Sequence, residues 1–114
     1  MNDLVIYKNE LKNSNPARYK VIGIVTMIII SEELFKRNVD ISDFIIFVFD
    51  ENIYNDKYKE YVMSSRTLIV ARTVRLIRGL SDKDYIGFKK KVYKYIDAKI
   101  TNPDKKNMFD GWVR

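Results

Sequence analysis

Cysteine and histidine are both absent from the 114-residue chain. That excludes a disulfide framework, a thiolate or imidazole metal site, a cysteine nucleophile and a histidine-based triad. Glycine and proline are scarce, with 4 and 2 residues, so each one punctuates the chain. The glycines are isolated singles, so no phosphate-cradling loop can be built from them. Long hydrophobic runs are missing too. The apolar stretch at residues 21–31 is shorter than the about 20 residues of a membrane-spanning helix. Asp3 and Glu10 stand where a signal peptide would be positive. A cytoplasmic location and no membrane partner are expected, and no cofactor is read.

A hydrophobic share of 46%, with 13% aromatics, is enough for a packed core. The length suits a single domain of residues 1–114. The abundance of Lys, Ile, Asn and Tyr points to an AT-rich genome, such as that of a bacterium or its phage. That speaks of codons, not of function.

The net charge of +6 is unevenly spread. Residues 1–57 carry 7 basic and 9 acidic side chains, whereas residues 58–114 carry 14 and 6. No acid lies between Glu60 and Asp82, where Arg66, Arg72, Arg75 and Arg78 all fall. This asymmetry points either to an acidic partner such as nucleic acid or to an ordinary solvated basic face.

An all-α fold, a compact bundle of about four helices, accounts for the pattern with least strain. Residues 1–14 read as an amino-terminal arm, with Leu4 to Tyr7 either a short strand or part of that arm. Asn15-Pro16 signals a helix start, and the helix is expected to run to Arg37, apolar all round in its middle and therefore central; the β-branched run 21–30 also fits a buried strand, and the length of the segment favours helix. Asn38 reads as a left-handed stop. Ser42 is the next N-cap, opening the apolar run 43–49, which is helix or strand by periodicity and has the length of a strand; the all-α reading takes it as helix. Asn55-Asp56 predicts a third helix from about Lys57 to Arg78, stopped by Gly79. Ser81 to Asp84 resembles a capping box that starts a fourth helix reaching about Ile100. Residues 101–114 form a tail.

Helical spacing then sorts the charge. With Arg66 at zero, Arg78, Arg75 and Arg72 fall at about 120°, about 180° and about 240°. Val70, Thr73, Val74, Ile77 and Leu80 form the opposite, apolar stripe. Arg66 lies inside that stripe and must snorkel or find a carboxylate, with Glu32, Glu33, Asp40 and Asp43 as candidates. On the fourth helix Lys83, Lys90, Lys91 and Lys94 share one side, opposite Phe88, Val92, Ile96, Tyr85, Tyr93, Tyr95 and Ile86. The short connection at Gly79 makes either an antiparallel hairpin or a helix-turn-helix corner. In both, the two basic sets can join.

The expected function is therefore non-enzymatic binding of nucleic acid, DNA or RNA, through the phosphate backbone. The residues expected to carry it are Arg72, Arg75, Arg78, Lys83, Lys90, Lys91 and Lys94. Tyrosines 85, 93 and 95 either stack on unpaired bases or belong to the core edge. The alternative is a protein-interaction module, an inhibitor, adaptor or immunity-type protein, acting through Phe47 and the aromatic tail residues Phe109 and Trp112. A homodimer or larger complex would fit it. The close acid pairs, Asp40 with Asp43 and Asp50 with Glu51, sit at predicted helix ends, where acids cap. Asp97-Ala98-Lys99 superficially matches half of a metal-dependent nuclease site, but on a helix.

Overall fold

The computed structural model describes residues 3–13 and 17–101. Among them every regular element is helical: α1 (Asp3–Asn13), α2 (Arg18–Ile30), a 3-10 turn (Asn38–Asp40), α3 (Ile41–Val48), α4 (Glu51–Lys57), α5 (Glu60–Met63), α6 (Arg66–Gly79) and α7 (Asp82–Thr101). The all-α class stands. The count of about four helices does not, and the differences have local causes.

The amino-terminal segment is a helix and neither a strand nor a free arm. Leu4 and Leu11, two turns apart, are buried, and α1 packs along α7. A 2.8 Å ion pair between Lys8 and Asp97 fastens the two.

The second helix ends at Ile30, well short of Arg37. Ser31 is extended, and its hydroxyl accepts the Leu34 N–H at 3.2 Å, a side-chain bond that competes with helix continuation. Asn38 begins a 3-10 turn, and no described non-glycine residue has a positive φ. The helix is central as expected: Val21, Ile24, Val25, Ile28 and Ile29 are all buried. Asn15-Pro16 and the tail from residue 102 lie outside the described residues.

The run is helical through Val48, and the helix starts at Ile41. Ser42 does not cap it; its hydroxyl donates to Val39 O. Asp50 is the real capping residue here, accepting the Ile53 N–H at 2.6 Å to open α4.

The expected helix 57–78 is two helices, α5 and α6, and α4 ends where it was to begin. Tyr58 ends α4 with φ −109° and ψ 65°, a break that sends its ring inward to 3% exposure. Its hydroxyl meets Thr73 Oγ1 at 2.7 Å. The Thr73 proton is committed to Ile69 O, so the phenol is the donor. Ser65 then caps α6 through the Leu68 N–H.

The core draws on nearly every helix. Phe44 is completely buried and meets Tyr95 edge-on, ring centroids 4.8 Å apart. Phe49 stacks on Phe88 at 4.9 Å. Among the described residues, no helix is long and apolar enough to cross a membrane.

Candidate nucleic-acid interface

The basic side chains are positioned by two helix pairs. Helix α6 packs on α2 and α5, whereas α7 packs on α1 and α3. The two basic helices are joined through Leu80 and Ser81 but do not lie along each other, so the connection is a corner and not a hairpin.

Arg18 holds that corner. Its Nη1 donates to Ile77 O at 2.8 Å and Leu80 O at 2.7 Å. Its Nη2 reaches Asp82 Oδ1 at 3.3 Å, and the guanidinium lies 4.5 Å from the Tyr85 ring centroid. One side chain at the start of α2 thus satisfies carbonyls at the end of α6 and ties them to the first turn of α7.

Arg66 does the converse at the other end. Among the described residues, no carboxylate is among its partners. Nε donates to Asn38 Oδ1 at 3.0 Å, Nη1 to Ile29 O at 2.9 Å and Nη2 to Phe35 O at 2.9 Å. The expected acid is replaced by carbonyls that the end of α2 and the following turn leave free. Helices α2 and α6 therefore run antiparallel, each capped at its carboxyl end by an arginine from the start of the other.

The seven expected contact residues do not form one surface. Arg75 and Arg78 are exposed on the outer face of α6, and Lys83 is exposed in the first turn of α7. Arg72 is half-buried and turned toward α4 and α5, donating to Lys57 O at 2.9 Å and to the Tyr61 hydroxyl at 3.3 Å. Lys91 reaches Phe49 O at 3.4 Å, on the α3 side of α7. Lys90 and Lys94 lie on the opposite side, where they border a groove shared with α1.

That groove was not legible in the sequence. It measures about 410 Å³ and is lined by Leu11, Lys12, Lys89, Lys90, Tyr93 and Lys94. Leu11 is buried at its floor, Tyr93 is half-buried, and Lys12, Lys90 and Lys94 are exposed. The Lys89 ammonium leans toward the Tyr85 ring, 5.7 Å from its centroid. Lys12 and Leu11 were missed because their contribution requires α1 to dock on α7, a contact about 80 residues apart in the chain with no local signal.

Among the described residues, none of Arg72, Arg75, Arg78, Lys83, Lys90, Lys91 or Lys94 pairs with an acid. The ion pairs fall elsewhere: Lys8 with Asp97, Arg18 with Asp82, Lys20 with Glu10, Arg37 with Asp40 and Lys57 with Asp56.

Two of the three tyrosines have structural settings. Tyr95 packs between Phe44 and Phe47, where burial raises its pKa. Tyr85 is half-buried beneath Arg18. Only Tyr93 opens on the groove. Ile86, expected on the apolar side of α7, is 50% exposed.

One acid of each pair is engaged locally. Asp40 accepts the Arg37 N–H, Asp50 caps α4, and Asp97 of the Asp-x-Lys run is held by Lys8, whose hydrogen bond keeps its carboxyl below the usual range. Among the described residues, no group of three or more His, Cys, Asp or Glu side chains could hold a metal ion.

For the alternative surface, Phe47 is 45% exposed; Phe109 and Trp112 lie outside the described residues. No protein-family model, no curated protein and no solved structure matches this chain.

Proposed function

We propose that this protein is a non-enzymatic nucleic-acid-binding protein or subunit that grips the phosphate backbone. The observation that carries the reading is the set Arg75, Arg78, Lys83, Lys90 and Lys94: exposed cations on α6 and α7 with no acid paired to them among the described residues. Cations that neutralise no internal charge are available to displace counterions from a polyanion, and that release drives backbone binding. Arg72 and Lys91 add positive charge, but their side chains are anchored on Lys57 O and Phe49 O and are secondary contacts. With contacts of this kind, affinity comes from phosphates and sequence discrimination is slight.

The test is an anisotropy titration of a labelled oligonucleotide across salt concentrations. Affinity should fall log-linearly with salt, with a slope of about −0.7 to −0.9 per neutralised phosphate. Replacing Arg75 and Arg78 together with Ala should make the slope shallower by about 1 to 2. No binding at low salt would overturn the reading.

A second reading, a protein-interaction module, is favoured by one specific feature. The groove between α1 and α2, about 570 Å³, is lined by Ile6, Tyr19, Gly23, Ile24 and Met27 among others. Ile6, Tyr19 and Met27 are 57%, 75% and 45% exposed. Binding there would be nearly independent of salt and sensitive to Met27→Glu.

A further inference from the structure

We propose that the groove between α1 and α7 accepts a single strand of nucleic acid, with an unpaired base or sugar on its apolar floor and phosphates on its lysine rim. The proposal rests on the nucleic-acid reading above and specifies which form of nucleic acid the site takes.

Three features argue for one strand and against a duplex. The first is the lining. Buried Leu11 and the half-buried ring of Tyr93 make a floor, and Lys12, Lys89, Lys90 and Lys94 stand around it. A duplex keeps the faces of its bases stacked on one another, so it would engage the ammonium groups and offer no base face to the floor. An unpaired strand offers both faces, and every base has a π-surface that an aromatic ring can meet without regard to sequence.

The second is the arrangement of the charges. Lys90 and Lys94 are one turn apart on the α7 wall, about 6 Å along its axis, while Lys12 stands on the α1 wall. A strand laid along the groove meets cations on both sides. Lys12, Lys90 and Lys94 are all exposed and have no acid within ion-pair distance among the described residues. The third is size. The groove measures about 410 Å³ and is open to solvent, a volume within the roughly 300–1,000 Å³ of small-ligand sites.

The groove is also held in shape. The Lys8–Asp97 pair at 2.8 Å and the buried Leu4 fasten α1 to α7 beside it, and buried Leu11 lies at its floor. A site fixed before its ligand arrives loses less entropy on binding.

The experiment uses the full chain, a labelled oligothymidylate and a labelled hairpin duplex of equal length, titrated in parallel by anisotropy. The oligothymidylate should bind more tightly than the duplex. Tyr93→Ala should weaken single-strand binding by at least about fivefold, the lower end of base–aromatic stacking, and leave duplex binding unchanged. Tyr93→Phe should keep wild-type affinity because it keeps the ring, which also separates lost stacking from lost folding. Photo-crosslinking of a thiothymidine oligonucleotide to the wild-type protein should label the peptides that carry Leu11 and Tyr93, and it needs no variant.

Equal binding of the two probes, with Tyr93→Ala silent and crosslinks on α6 alone, would overturn the groove proposal and leave the basic-surface reading standing. Binding of neither probe, with a labelled polyglutamate captured instead, would overturn both.

Discussion

Arg66 illustrates how a single side chain organises this molecule. It lies among apolar neighbours on α6 yet pairs with no acid, because its three nitrogens meet Asn38 Oδ1, Ile29 O and Phe35 O. Hydrogen bonds to a charged group contribute about 1.5–3 kcal/mol each in favourable cases, and stranding partly buried carbonyls adds a desolvation cost. Arg66→Ala should therefore destabilise the fold by about 2–4 kcal/mol in a urea titration. Arg66→Lys should recover only a minor part, since one ammonium cannot span three acceptors in a planar fork.

Tyr58 gives a pH dependence. Burial, the largest cause, raises its pKa from the ordinary 10.0 to about 12. The folded state then holds the phenolic proton more tightly than the unfolded chain. The sign follows: stability is unaffected below the unfolded pKa near 10 and is lost as the pH rises through 10 toward 12. About 2–3 kcal/mol should disappear across that window. Tyr95, also raised by burial, acts in the same direction. Denaturation midpoints measured at steps of pH should show the fall, and Tyr58→Phe should flatten it.

At the scale of elements, the chain is written more clearly in its faces than in its ends. The split between buried Ile69, Thr73 and Ile77 and outward Arg75 and Arg78 follows helical spacing alone, as does the burial of Phe88, Val92 and Ile96 on α7. The boundaries do not follow. Helix α2 stops at Ile30 because the Ser31 hydroxyl accepts the Leu34 N–H, and Arg66 Nη1 donates to the carbonyl of Ile29. The second of these contacts spans 37 residues, a distance at which no sequence window gives a signal. Tyr58 breaks the next helix for the same kind of reason, since its partner is Thr73 on α6.

Gly87 is a local departure from helix propensity. It lies inside α7, exposed, with nothing within 4 Å of where a Cβ would stand and no left-handed φ. Glycine in a helix interior costs about 0.5–1 kcal/mol relative to alanine. Gly87→Ala should raise stability by about that amount, measured by thermal or urea unfolding, and should leave oligonucleotide binding unchanged.

At the scale of the whole molecule, the decisive feature is the segregation of charge. Acids of the first half cap helices or pair with local bases, as Asp40, Asp50 and Glu10 do. None of them reaches Arg75, Arg78, Lys83, Lys90 or Lys94 among the described residues. The excess of lysine and arginine was plain in the sequence, and helical spacing turned most of these groups outward. Their division between α6 and the α1–α7 groove was not, because it depends on how four helices dock. Arg72 and Lys91 shared a helical face with the others, yet each is anchored by a backbone carbonyl from a different helix or helix end.

A polyanion bound by these outward cations must perturb the backbone that carries them. The most direct measurement is a backbone amide NMR titration of the labelled protein with an oligonucleotide at low salt. Shifts should concentrate at Arg75, Arg78, Lys83, Lys90 and Lys94, and on the Lys12 side of α1, and should reverse on adding salt. Shifts confined to Ile6, Tyr19 and Met27 in the α1–α2 groove, or a spectrum the oligonucleotide leaves unchanged, would contradict the account.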